Sequence, residues 1–256
     1  MADNFLLGFG ERLTDRVDVP SGGGLKNPPY DHETARKRVS ARVERTQVAF
    51  KKLPREACPH DEAVAVLTVH PRYTSKSDYP LQLLEQVGLR SVGSREAVVK
   101  PESWGVQKHG EAAATAQIFV AGKRAAFERW SDSVPRWNED DPGASQLKMI
   151  EDFGPFEAKD KVRPLSVSEG PVLLEVVLHG GAKDDFVIDA FEAFATKLNA
   201  NPDMDRRRIV GGLCFMPVRA DAEAVPKLAQ FSFLRVARGM PQIRPLRPLA
   251  LRVQPG

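Results

Sequence analysis

The residues best suited to chemistry are His179, Gly180 and Gly181, followed at once by Lys183, Asp184 and Asp185. An imidazole beside carboxylates at the end of an apolar strand is raw material for a general base and its orienting group. The same residues also make a plain turn into a helix, because Asp184 and Asp185 favour a helix N-terminus. An enzyme built on His179 with Asp184 or Asp185 therefore requires those side chains to line one pocket. Cys58-Pro59-His60 puts a thiol and an imidazole two positions apart, but tetrahedral zinc takes about four ligands and no second Cys/His cluster supplies the rest. Glu139-Asp140-Asp141 lacks the alternate spacing of a calcium loop and reads as a solvated turn. Ser21-Gly22-Gly23-Gly24 has no Gly-Lys-Ser/Thr after it, so it reads as a connector and not a phosphate loop. Cys214, inside the apolar run GLCFMPV, reads as a small buried side chain. No metal and no cofactor is expected, and no catalytic residue is assigned.

Composition describes an ordinary folded protein. The chain has 256 residues, 28% charged and 42% hydrophobic, with a net charge of +3. That length buries a good core, as one large domain or two small ones. The two cysteines are too few for a disulfide framework. The start, Met-Ala-Asp-Asn, has no basic leader region, and no apolar run approaches the length of a membrane span. A cytoplasmic protein without membrane contact is expected.

The elements that must position these residues follow a repeated order. Asp31 to Leu53 reads as a helix capped by Asp31 and stopped by Pro54, with Ala35, Val39, Val43, Thr46, Phe50 and Leu53 on one stripe. Its basic residues, Arg36, Lys37, Arg38, Arg42, Arg45, Lys51 and Lys52, fall largely on the other faces. A solvated face is the expectation there, since no aromatics interleave to stack bases. Next come a strand (62–70), a helix (77–87), two strands (89–100 and 112–121), a helix (123–131) and a strand (147–153). After a connector the order returns. A strand (171–179) leads to a helix (184–198), and two short strands (206–210 and 213–218) are joined by Gly211-Gly212, the dipeptide of a tight hairpin. A short helix ends at Leu228, and a last strand spans 231–238. Both halves read β-α-β-β-α-β. The expected fold class is α+β, with two tandem ferredoxin-like units. The expected organisation is an N-terminal arm and helix (1–60), a first unit (61–158), a second unit (170–240) and an extended tail (241–256).

The tail carries its own signal. Pro241, Pro245, Pro248 and Pro255 remove backbone donors and favour extended geometry. Arg235, Arg238, Arg244, Arg247 and Arg252 add charge, and no Asp or Glu follows Glu223. Such a stretch is a linker or a segment laid across a partner.

Two segments carry a resemblance: EAVAVLTVHPRYTSKSDYPLQLLEQVGLRSVGSR (62–95) and AQFSFLRVARGMPQIRPLRP (229–248). They resemble the N-terminal, pre-catalytic region of bacterial subtilisin-like serine proteases, a group linked to phage defence whose genes often accompany an AAA-type ATPase. The resemblance covers most of residues 1–250. The Asp-Ser/Thr-Gly, His-Gly-Thr/His and Gly-Thr-Ser-Met motifs of the catalytic domain are absent, so no triad residue carries over. The resemblance implies a non-catalytic module acting as chaperone, inhibitor or partner-docking domain. The implied partners are a subtilisin-like catalytic domain, in cis or in trans, and an AAA-type ATPase. The residues expected to make partner contact are Phe231, Phe233, Leu234, Arg235, Arg238, Arg244 and Arg247. The alternative is a nucleic-acid-binding or RNA-processing tandem ferredoxin-like protein; the small net charge counts against nucleic acid as the partner.

Overall fold

The computed structural model describes residues 28–75, 78–105, 112–165 and 170–241. The N-terminal residues of the expected arm, and Arg244 and Arg247 of the tail, lie outside them.

Helix α1 (His32–Lys51) forms where the stripe predicts it. The Asp31 carboxylate accepts the Thr34 N–H at 2.8 Å, and Ala35, Val39, Val43, Thr46 and Phe50 are its buried positions. The helix packs on a four-stranded antiparallel sheet. In chain order this unit comprises β1 (Glu62–Val69), α2 (Leu81–Gln86), β2 (Arg90–Val99), β3 (Ala113–Lys123), α3 (Arg124–Ser133) and β4 (Ile150–Pro155), with the strands arranged β2-β3-β1-β4.

The strand β1 explains the unbroken apolar run EAVAVLTV. Strand side chains alternate between faces. Ala63, Ala65, Leu67 and Val69 join one core with Val39, Val43, Phe127 and Trp130, while Val64 and Val66 join a second core with Phe119 and Ala121. Both faces are covered, so neither tolerates the polar alternation of a half-exposed strand.

A short helix, α4 (Ala158–Lys161), leads to the second unit: β5 (Val172–His179), α5 (Asp185–Lys197), β6 (Asn201–Pro202), β7 (Arg208–Val210), β8 (Leu213–Ala220), α6 (Val225–Leu228) and β9 (Leu234–Gly239). These strands form a second antiparallel sheet in the order β6-β8-β5-β9, with β7 also paired to β8. Gly211 and Gly212 have φ of 56° and 83°, the left-handed pair that a two-residue hairpin loop of matching twist requires. Leu174, Val176 and Leu178 of β5 pair in register with Val218, Met216 and Cys214 of β8, and this face receives Val187, Ile188 and Phe191 of α5. The connector is drawn into the sheet: Val162 bridges Ala237 in parallel, and Arg163 N–H donates to the Ala237 carbonyl at 2.9 Å.

The protein is thus a mixed α+β chain with two antiparallel sheets, compatible with two tandem ferredoxin-like units. Several expected boundaries move, three of them for a reason the structure shows. The strand expected from Leu147 starts at Ile150, because residues 144–149 form a 3₁₀ turn that docks through Gln146 on the Leu83 N–H at 2.8 Å. The helix expected from Ser77 starts at Leu81, after Pro80 at a non-helical ψ of 52°. The last strand starts at Leu234 and not at Phe231, since the Ser232 N–H is taken by the Ala57 carbonyl and its hydroxyl accepts the Val64 N–H. Among the described residues, no helix is long and apolar enough to cross a membrane.

Candidate functional site

The last strand does not present the apolar surface expected of it. Phe231, Phe233 and Leu234 are 0%, 1% and 0% exposed. Phe231 packs its ring against Phe191 and Phe194, and Phe233 lies edge-on to Phe186. They build the core of the second unit and are closed to any partner. Burying a Phe or Leu side chain yields about 1.5–3 kcal/mol, which is why hydrophobic residues at a strand entrance end up inside. Arg238 is also committed: its guanidinium holds Glu175 on β5, with Nε donating to Oε2 at 2.6 Å.

Arg235 behaves differently. Its guanidinium lies 4.6 Å from the centre of the Phe119 ring on β3, and Nη2 donates to the Ser94 carbonyl on β2 at 2.9 Å. That approach needs Gly93 beneath it: a Cβ at Gly93 would stand 3.0 Å from Arg235 Nη1. On the same ring Arg95 stands 5.4 Å from the Phe119 centre and 5.3 Å from that of Phe156, with Nε on Gln117. Two guanidiniums thus share one aromatic platform where the two units meet, and Arg163 on the connector adds to their mutual repulsion. Burial holds the Arg95 guanidinium below its ordinary pKa and Arg163 lowers it further, against a small opposing pull from Asp160. Burial and then Arg95 do the same to Arg235. Among the described residues, none of the three has a carboxylate within ion-pair distance.

His179 meets the same platform. Its ring is 4.5 Å from that of Phe119, it is 1% exposed, and Nδ1 is 3.2 Å from the Val92 carbonyl. A neutral ring that donates from Nδ1 leaves Nε2 a bare acceptor, and Nε2 is buried without a partner among the described residues. Burial, and then the charge of Arg235, push its pKa down to about 3. His179 therefore stays neutral at ordinary pH. Asp184 turns the other way, its Oδ2 accepting the Gly181 N–H at 2.9 Å. The structure does not join this imidazole to Asp184, and the strand end is the turn into α5 that the Asp residues suggested.

No family model matches the chain. No curated protein matches it. Among solved structures, one match is a crystal structure of a chain provisionally named a glycine cleavage system transcriptional repressor, 12% identical, covering 62% of this chain and 79% of that one, with a TM-score of 0.22. A likeness of that size carries no argument about fold or function.

Other sequence candidates resolve into structure. Cys58 is 2% exposed, and burial pushes its thiol up to about 11. His60 lies flat on Phe186 at 4.4 Å, and it and Asp61 have φ of 51° and 61°. Glu139 pairs with Lys148, and Asp141 accepts the Asn138 N–H. Among the described residues, no group of three or more His, Cys, Asp or Glu could hold a metal ion.

Sequence reasoning missed a network under α1. The Tyr30 hydroxyl donates to Glu151 Oε2 at 2.7 Å, the Glu102 N–H donates to Oε1 at 3.0 Å, and Arg38 reaches Oε1 at 3.3 Å. The His70 ring is full, with Nδ1 accepting the Arg72 N–H and Nε2–H donating to the Ser103 carbonyl. Arg42 pairs with both Asp152 and Glu102. The helix arginines expected to be solvated are thus partly turned inward and neutralised. Lys161, in the connector, was also missed. It is 3% exposed, its Nζ donates to the Phe231 carbonyl at 2.8 Å, and no carboxylate among the described residues pairs with it.

Proposed function

We propose that this chain is a non-catalytic docking module of a subtilisin-like serine protease system, built as two tandem ferredoxin-like units. Support comes from the two resembling segments and from a body that ends its last strand beside an uncompensated cationic cluster. The cluster carries the reading: Arg95, Arg163 and Arg235 converge where the units meet, and none has a carboxylate partner among the described residues. Guanidiniums held together against their own repulsion gain from an acidic group brought by a partner, which they can grip bidentately. Met240 N–H donates to the Leu173 carbonyl at 3.0 Å, so the chain leaves the sheet along β5, and the tail would continue across the partner from that point. The expected partners are a subtilisin-like catalytic domain and an AAA-type ATPase.

The test uses a subtilisin-like catalytic domain encoded beside this chain, with peptide hydrolysis and binding measured as the chain is titrated in. The expected result is binding that weakens with added salt, with inhibition lost on removing residues 241–256. Arg95→Gln with Arg235→Gln should weaken binding about tenfold or more, and at high salt the wild type should fall toward the variant. Absence of binding at low ionic strength overturns the proposal.

Nucleic acid is the second reading. Its specific observation is the β7 edge, where Arg207 and Arg208 are exposed and, among the described residues, bond only to backbone carbonyls, next to exposed Ile209 and Val210. Binding of labelled single-stranded RNA that falls steeply with salt, and that Arg207→Gln with Arg208→Gln abolishes, would favour it.

A further inference from the structure

A cavity of about 400 Å³ lies where α1, β1, the connector and the approach to β9 come together. That size is ordinary for a small-molecule site. Val48, Phe50, Leu53, Val64 and Phe156 give it an apolar lining, and Val48 is 45% exposed at its edge. Lys161 lines it too. This lysine is buried, with Nζ on the carbonyls of Phe231 and Ser232 and 5.5 Å from the Phe156 ring centre. Burying an ammonium without a counter-charge is costly, and two carbonyl dipoles only partly relieve it. At the rim, Lys52 has no ion-pair partner among the described residues, and Arg45 reaches Asp152 only at 3.9 Å. The acid there, Glu157, is taken by Lys159 at 2.7 Å. An apolar cavity with a buried cation lacking its anion complements one kind of small molecule.

We propose that this cavity binds a small apolar carboxylic acid, its hydrocarbon body among Phe50, Leu53 and Phe156 and its carboxylate supplying the counter-charge to Lys161. The proposal stands apart from the docking function and does not rest on it. It carries a proton signature. Burial lowers the Lys161 pKa to about 7, so above that pH the amine is largely neutral. A carboxylate beside it favours the ammonium, and binding takes up a proton. The other titratable and charged groups facing this region are Arg45, Lys52, Glu157, Cys58 and His179, of which burial keeps Cys58 a thiol and His179 neutral between pH 7.5 and 8.5.

The experiment is calorimetric titration of the full chain with octanoate, 1-octanol and octylamine, in buffers of different ionisation enthalpy. Octanoate should bind one site at least tenfold more tightly than octanol at pH 7.5, with octylamine weakest. Proton uptake should accompany octanoate alone, and its affinity should fall as pH rises from 7 to 9. Lys161→Met should erase the preference and the proton uptake while changing octanol affinity less than threefold. Equal binding of octanoate and octanol, octanoate binding without proton uptake, or no saturable binding each overturns the proposal. The last result is also the one expected if a segment of the chain itself fills the cavity. If Lys161→Met fails to fold, the ligand preference and the proton uptake of the wild type decide the matter alone.

Discussion

Lys161 should make the stability of this protein rise with pH in a window where most proteins are flat. Its amine titrates near 10.4 in an unfolded chain. In the fold, burial lowers it from the ordinary 10.5 to about 7, while the field of Cys58 opposes the shift slightly. Between those values the unfolded state binds more protons than the folded state, and stability then increases with pH. The sign is opposite to that of a lysine in a salt bridge. Below pH 7 both states are protonated and the burial penalty is felt in full. Above pH 10.5 neither is, and the penalty is gone. The gap between 10.5 and about 7, at ~1.4 kcal/mol per pH unit, sets an upper bound on the order of 5 kcal/mol. From pH 7 to pH 9 the expected gain is about 2 kcal/mol.

The perturbation that isolates this is Lys161→Met, which keeps the length of the side chain and removes the titration. Met takes the Lys161 donor from the Phe231 and Ser232 carbonyls, of which Phe231 keeps the Leu234 N–H, at a cost of about 1–3 kcal/mol that is independent of pH. Wild type and variant should therefore differ in slope as well as in level. Urea denaturation at pH 7, 8 and 9, followed by the fluorescence of buried Trp130, measures both. The interval stops at pH 9 because Cys58, raised to about 11, favours the folded state less and less as pH climbs past the ordinary thiol value. Parallel stability profiles for the two proteins would refute the reasoning. Lys161 would then be hydrated or paired in solution, and the charge argument for its cavity would fall with it.

Two further outcomes follow from the geometry. Glu151→Gln removes the charge that Arg38 and the Tyr30 hydroxyl share in a buried network, and should cost about 3 kcal/mol, read as a lower urea midpoint with an unchanged slope. Phe119→Ala removes a fully buried ring that touches Phe156, His179 and two arginines across the junction of the units, and should cost about 3–5 kcal/mol. It should also split a single unfolding transition into two, and a lone cooperative transition with a small loss would show that the units hold together elsewhere.

How much of this was legible in the sequence depends on the distance over which each choice is made. The α1 stripe, the Asp31 cap and the Gly211-Gly212 hairpin are fixed within a few residues, and they read correctly. The strand EAVAVLTV read as buried because both faces are apolar, although nothing local says that alternate residues serve two different cores. The partner-contact assignment failed at Phe231, Phe233 and Leu234 for a related reason. An apolar strand entrance looks the same whether it faces a partner or its own α5. Tyr30 and Glu151 are 121 positions apart, and Arg235 reaches Ser94 across 141. The first pairing depends on how α1 docks on its sheet and the second on how the two sheets meet, which no helix or strand period encodes.

The distribution of charge favours the junction of the two units as the surface for the proposed partner. Several cations elsewhere have acid partners: Arg42 has Asp152 and Glu102, Arg124 has Asp61, Arg238 has Glu175 and Lys51 has Glu128. A chain with 34 acidic residues against 37 basic ones has ample means to supply them. Yet Arg95, Arg235 and Lys161 gather near the junction with carbonyls, an amide and aromatic faces as their partners, and Arg163 adds its charge beside Arg95. Apolar replacements at such positions would often stabilise the fold. Local rules are broken most often where function requires it. On that ground the proposed docking function is assigned to Arg95, Arg163 and Arg235, and not to the buried His179 or the Asp184 turn.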